Sequence, residues 1–271
     1  MEGNLKKVVE KAPEIIGVMI FLFCMVFLSW AADFIEPQAT FDAAYYHIMV
    51  DQLEQGKGFT EPIIWNYINP RDSIEHPMDY WMPLGIILYY CSRLIWGVSG
   101  EIWLNIIIWS SLSLAVFFQV KKHTGSRLSS VFAFFLMLGC GRNLFYLLTT
   151  DNIAFYAAIG FLLFNNLYKA EDCWLKIAFV SALAALMRIE GTLVAAFVCF
   201  FVFYRCRRFK VLALMIIAIL AFVSPWMIRN LLVLGKLWTS NLKALLIVNY
   251  NDIFCSDFSG SLENFFLQGW Q

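Results

Sequence analysis

The sequence predicts an all-α integral membrane protein, with about seven transmembrane helices and a large first extracytoplasmic loop carrying juxtamembrane helices. Three observations lead there. Hydrophobic residues make up 61% of the 271 and charged residues only 15%, an imbalance foreign to an ordinary water-soluble domain. The apolar residues fall into runs, several of them long enough to cross a hydrocarbon core. When those runs are threaded as seven spans, the Lys and Arg residues between them sort to one side, the bias expected of cytoplasmic loops.

The opening MEGNLKKVVEKAPEIIGVMIFLFCMVFLSWAADF has a basic start followed by a run of roughly 20 apolar residues, the length a spanning helix needs. SWAAD looks like a cleavage site, but the apolar run is longer than the core of a secretory signal, so a retained anchor is expected. Further apolar runs lie at about 80–97, 101–119, 128–148, 152–168, 174–187, 191–204 and 209–234. Lys6, Lys7 and Lys11 place the N-terminus in the cytoplasm. If 80–97 were a full span and 174–204 one helix, Lys121, Lys122 and Arg127 would fall outside, against that bias. If instead DYWMPLGIILYYCSRLIWGV lies along or dips into the outer surface, and RIEG (Arg188 to Gly191) is an outward turn, then KKHTGSR, the loop with Lys169 and Lys176, and RCRRFK are all cytoplasmic. This threading puts 12 of the 20 Lys and Arg inside and 15 of the 20 Asp and Glu outside. The expected organisation is an N-terminal tail and first span over 1–34 and an extracytoplasmic loop with juxtamembrane helices over 35–100. Six further spans cover 101–238, and 239–271 begins a second extracytoplasmic region that the chain cuts short.

Formal net charge is +0, and no basic block with interleaved aromatics is present, so a nucleic-acid partner is not expected. The seven cysteines, Cys24, Cys91, Cys140, Cys173, Cys199, Cys206 and Cys255, have no paired spacing and mostly sit inside apolar runs. They read as small core residues rather than as a disulfide framework or a zinc site.

The first outer loop, from about Ile35 to Asp79, is too long for a simple connection and is expected to be functional. Within it, Tyr45, Ile48, Met49 and Leu53 recur near helical spacing, and GKG supplies a stop, which predicts an interfacial helix over 42–55. From helix signals alone Asp42 is equally its N-cap, and Tyr45 and Tyr46 are equally members of an interfacial aromatic belt. Under this threading Asp42, Tyr45, Tyr46, His47, His76, Asp79, Asp151, Arg188, Glu190 and Arg229 all fall at or near the outer boundary. Charges at membrane depth are costly, so their gathering on one face points to a shared site. A transporter would place them near mid-span, and the sequence holds no convincing internal repeat.

Five ordered segments carry a family resemblance. FDAAYYHIMVDQLEQGKGF resembles the acidic motif that follows the first span in polytopic lipid-dependent glycosyltransferases of the GT-C class, such as protein O-mannosyltransferases, aminoarabinose transferases and oligosaccharyltransferase catalytic subunits. EHPMDYWMPLGIILYY is similar to the family's Lys/His-Pro-x-x-Tyr-x-Pro-Leu juxtamembrane segment. LLTTDNIAFYAAIGFLLFNNL, ALMRIEGTLV and SPWMIRNLLVLGKLW resemble the opening of the second outer loop, the Thr/Arg-x-Glu-Gly turn and the Pro-Trp-x-x-Arg-Asn end of the seventh span. The chain departs from the family at Ala43, where a second acid usually stands, which implies a one-carboxylate site.

The resemblance implies a GT-C module that moves a sugar from a polyprenyl-phosphate donor to an acceptor on the extracytoplasmic side, in the cell envelope. Inverting transfer needs one base at the acceptor oxygen, and the matching position is Asp42. The leaving phosphate needs charge stabilisation rather than an acid, for which Arg188, Arg229 and His76 are the candidates; Arg142 reads better as a charge paired inside the bundle. Arg229 is equally a snorkelling interfacial arginine. Tyr45, Tyr46, Asp151 and Glu190 complete the expected substrate-binding set, with the acids holding the arginines or sugar hydroxyls, while His47 faces the headgroups. YWMPLGIILYY is suited to lining the lipid's lateral access route. No cofactor and no metal site are expected, a divalent ion being the alternative that the oligosaccharyltransferase likeness leaves open. The expected partners are the lipid-linked donor, an unknown acceptor, the bilayer, and a subunit supplying a missing C-terminal part. The competing expectation is a non-catalytic membrane subunit or lipid-binding scaffold with the same fold.

Overall fold

A computed structural model describes residues 2–64, 73–138, 141–168 and 170–239. In chain order these residues form α1 (Glu2–Ala32), α2 (Phe41–Glu54), β1 (Thr60–Glu61), β2 (His76–Pro77), α3 (Pro83–Trp96), α4 (Gly100–Thr124), α5 (Arg127–Leu138), α6 (Gly141–Leu147), α7 (Ile153–Leu167), α8 (Ala170–Met187), α9 (Glu190–Cys206) and α10 (Phe209–Leu234). The strands are a two-residue antiparallel pair, so the architecture is all-α. Three helices are long and apolar enough to cross a membrane, through Ile15–Ala32 of α1, Gly100–Thr124 and Phe209–Leu234. By contrast α3, at 14 residues, rises only about 21 Å at 1.5 Å per residue, short of a hydrocarbon core of about 30 Å. Over the apolar run at 128–148, expected as one span, the described residues form α5 and α6. Gly139 and Cys140, like Lys169 and everything from 240 onward, lie outside the described residues, as does the side chain of Arg142.

The chain forms two compact units, one from Met1–His47 and Leu88–Ala158, the other from Ile48–Ile87 and Ile159–Gln271. In the first, α1 lies against α4. A Cβ on Gly17 would sit 2.7 Å from the Phe118 ring, so glycine is what lets the two helices approach, as small residues do between membrane helices. The buried stripe of α4 includes Asn105, Trp109, Leu112, Ser113 and Phe117, a helical period of one face. The turn between α3 and α4 is equally tight, because a Cβ on Gly100 would meet the Ser92 carbonyl oxygen at 2.5 Å.

In the second unit α8, α9 and α10 form a three-helix group around Ala182, Ala185 and Val223. An apolar cleft of about 460 Å³ between α9 and α10 is lined by residues such as Cys199, Phe203, Ile216 and Trp238. Pro225 inside α10 cannot donate to the Ala221 carbonyl. The Ser224 hydroxyl takes that place at 2.8 Å, which keeps the backbone acceptor satisfied in a helix long and apolar enough to span lipid. The turn from α8 to α9 requires Gly191, since an ideal Cβ there would sit 2.0 Å from the Ala184 carbonyl oxygen. Gly191→Ala is therefore expected to destabilise the fold by about 1–3 kcal/mol through overpacking. Gly160→Ala is the control, because nothing lies within 4 Å of its Cβ position. Thermal unfolding of both in detergent checks the contrast, and an equal effect would refute it.

Candidate functional site

In the first unit the start of α2 is built by Thr40. Its hydroxyl accepts the Ala43 N–H at 3.1 Å, the hydrogen bond of an N-cap to the third helical residue. Asp42 therefore is not the cap; it stands inside the first turn, half-buried, where a carboxylate is favoured by the N-terminal end of the helix dipole. Ala43 is fully buried, so a second acid at that position would be a buried charge. Thr40→Ala is expected to cost about 1 kcal/mol through loss of the cap, read as a drop in thermal stability in detergent. An unchanged stability would show that the cap contributes nothing.

The segment Thr149 to Asn152 is stitched to three helices. Thr150 donates its N–H to the Pro37 carbonyl at 2.9 Å and its hydroxyl to the Ala43 carbonyl at 2.8 Å. Asn105 donates to Thr149 O at 2.7 Å, and the Tyr89 hydroxyl donates to Asp151 O at 2.6 Å. The Asn152 amide donates to the Tyr46 hydroxyl at 2.6 Å. Burial pushes the Tyr89 hydroxyl well above its ordinary range, so it stays a donor. Asp42 and Asp151 are thus each adjacent in sequence to a partner of the same hydrogen bond, Ala43 to Thr150. Tyr45 and Tyr46 are not belt aromatics at the headgroups: both are fully buried, with their rings 6.3 Å apart edge to face. Their apolar bodies fill the interior, and the Tyr46 hydroxyl has its own buried partner.

His47 also departs from the expectation that it faces the headgroups. Its Nδ1 lies 3.0 Å from Glu101 Oε2 and 2.9 Å from Arg93 Nη2. The Arg93 guanidinium donates to the other oxygen of Glu101 at 2.7 Å through Nη2 and 2.9 Å through Nε. Arg93 and Glu101 side chains are each only 1% exposed. This ionic group joins α2, α3 and α4 inside the first unit.

In the second unit the residues gather on the segment 76–81. His76 is paired through β2 with Glu61 on β1, and its Nε2 lies 2.9 Å from Glu61 Oε2 while Nδ1 lies 2.8 Å from the Ile74 carbonyl. Glu61 Oε1 accepts the Asp79 N–H at 3.1 Å. Arg229, near the end of α10, donates to Met78 O at 2.6 Å and to Phe59 O at 2.9 Å, which ties it to the loop. Arg188 pairs with Glu190 at 3.2 Å and stands over the Trp81 ring at 5.4 Å. Lys236 lies 2.8 Å from Asp79 Oδ2. His76, Arg188, Arg229 and Lys236 thus all touch residues 76–81 or the carboxylate bonded to them. The aromatic segment expected to line the access route is largely interior: Tyr80, Trp81, Met82 and Tyr89 are buried.

The sequence points to Asp42, Tyr45, Tyr46, His47, His76, Asp79, Asp151, Arg188, Glu190 and Arg229. It does not single out Glu61, Arg93, Glu101, Asn152 or Lys236. Charged residues inside or flanking apolar stretches were the available signal, in SRLIW for Arg93 and SGEIW for Glu101. No group of three or more His, Cys, Asp or Glu residues with metal-binding placement occurs among the described residues.

The helical architecture and, among the described residues, three helices long and apolar enough to cross a membrane suggest a multi-pass membrane protein. No family model matches the chain, and neither a curated protein nor a solved structure matches it.

Proposed function

We propose that this chain is the membrane module of a seven-span glycosyltransferase, transferring a sugar from a polyprenyl-phosphate donor to an acceptor hydroxyl on the extracytoplasmic side. The observation that carries the reading is the position of Asp42. Thr40 caps α2, and the Asp42 carboxylate stands half-buried in the first turn, next in sequence to Ala43 and its bond to Thr150. In the proposed reaction Asp42 takes the proton of the acceptor hydroxyl. The acceptor oxygen bonds to the anomeric carbon as the bond from that carbon to the phosphate oxygen breaks, and the configuration inverts. The phosphate departs on its lipid, its charge met by Arg188, Arg229 and His76. Glu190, paired with Arg188, orients that guanidinium, and the role proposed for Asp151 is binding sugar hydroxyls.

A second reading, a non-catalytic subunit or lipid-binding scaffold, is favoured by one observation: the Arg229 guanidinium serves the backbone of Phe59 and Met78, a structural employment. The experiment is sugar transfer in membranes carrying equal amounts of wild-type chain or Asp42→Asn, supplied with labelled polyprenyl-phosphate sugars. Transfer lost only in the variant supports the enzyme. Equal transfer removes Asp42 as the base, and absent transfer by both favours the scaffold.

A further inference from the structure

We propose that Lys236 is a further cation for the phosphate of the lipid-linked donor, held in readiness by Asp79 until the phosphate arrives. The inference rests on the glycosyltransfer reading above and extends it to a residue to which that reading gives no role.

Gly235 ends α10 with φ of 70°, its N–H bonded to Leu231 O. This left-handed residue turns the chain off the helix axis. The turn delivers the Lys236 ammonium to Asp79 Oδ2 at 2.8 Å. The two ends of this pair differ in exposure: the Asp79 side chain is 2% exposed and that of Lys236 38%. The carboxylate is fixed, and the ammonium is the end that an incoming anion reaches. Asp79 is fixed further by its backbone N–H on Glu61, the carboxylate that also meets His76.

Arg229, seven residues earlier on α10, donates to the carbonyl of Met78, the residue before Asp79. These hydrogen bonds, with a third to Asn230 Oδ1, position the guanidinium. The end of α10 and the residue after its Gly235 cap therefore bring two basic side chains to the adjacent residues Met78 and Asp79. An ammonium is a compact point charge with three donors, and it can be shared between a carboxylate and a phosphate in a way a planar guanidinium locked on carbonyls cannot.

The test uses the purified full chain in detergent and measures binding of decaprenyl phosphate, with decaprenol, the same chain lacking phosphate, as the reference. Wild type is expected to prefer the phosphate. Lys236→Met is expected to weaken decaprenyl phosphate binding about tenfold, the loss of one hydrogen bond to a charged group, and to leave decaprenol binding unchanged. Lys236→Arg restores most of the loss. Asp79→Asn, which removes the competitor for the ammonium, is expected to keep or strengthen phosphate binding, whereas a purely structural pair would weaken in both variants. If wild type prefers the phosphate and Lys236→Met binds it equally well, the Lys236 assignment is overturned and the donor reading stands. If wild type shows no preference for phosphate over the alcohol, the donor reading fails and takes this inference with it. Displacement of the lipid by inorganic phosphate at equal concentration would overturn the lipid-linked ligand in favour of a free anion.

Discussion

Asp42→Asn is expected to lower sugar transfer about a hundred- to ten-thousand-fold, the range over which a positioned general base acts, with the fold intact. The substitution keeps the size of the side chain and removes only its charge and basicity. Because the first turn of α2 is capped by Thr40, the variant does not lose the cap, and asparagine is tolerated in that turn at a cost of a few tenths of a kcal/mol through the helix dipole. Thr40→Ala is the mirror experiment, costing stability while keeping the base. A transfer rate that follows thermal stability in both variants would mean that Asp42 acts through folding alone. A rate that collapses in Asp42→Asn at unchanged stability separates chemistry from structure.

Arg93→Met is expected to destabilise the protein by about 3–5 kcal/mol, because it leaves Glu101 as a buried charge without its main counter-ion. The Glu101 carboxylate is 1% exposed, and water does not reach it to compensate. Glu101→Gln alone should cost less, since the amide retains an oxygen for the guanidinium. The double variant Arg93→Met with Glu101→Leu should recover much of the loss, as buried ion pairs replaced by apolar residues of similar volume commonly do. Thermal or denaturant unfolding in detergent reads all three. A double variant no more stable than Arg93→Met would show that the pair specifies the turn between α3 and α4 beyond neutralising charge.

Much of the helical scaffold was legible in the sequence. The helix predicted over 42–55 is present as Phe41–Glu54, and Gly56 behind it adopts φ of 74°, the left-handed stop that GKG announces. The long apolar runs that became α1, α4 and α10 were legible from length and composition. The count of seven spans was read from charges between runs, which helix length does not decide. At the site, Thr40 and Asp42 are both good caps two residues apart, so spacing alone had no means of choosing between them. Tyr45 and Tyr46 carry an apolar body and a polar tip, which suits a headgroup belt and a satisfied core alike; the Asn152 amide decides for the core, and it lies 106 residues away. The group of His47, Arg93 and Glu101 draws on three helices, and no periodicity within one helix announces it.

The stitching of Thr149 to Asn152 onto the start of α2 has a consequence for the order in which the molecule is made. Thr150 and Ala43 are 107 residues apart in the chain. At a synthesis rate of about 5–20 residues per second, α2 leaves the ribosome on the order of 5–20 seconds before its anchors exist. During that interval Tyr46 and the Ala43 carbonyl lack the amide and hydroxyl that later bond them, while the Thr40 cap of the first turn is already in place. The N-terminal end of α2 is thus completed late, when the connection between α6 and α7 emerges. A nascent chain arrested before Thr149 should leave α2 open to proteolysis at a point where the finished protein resists it.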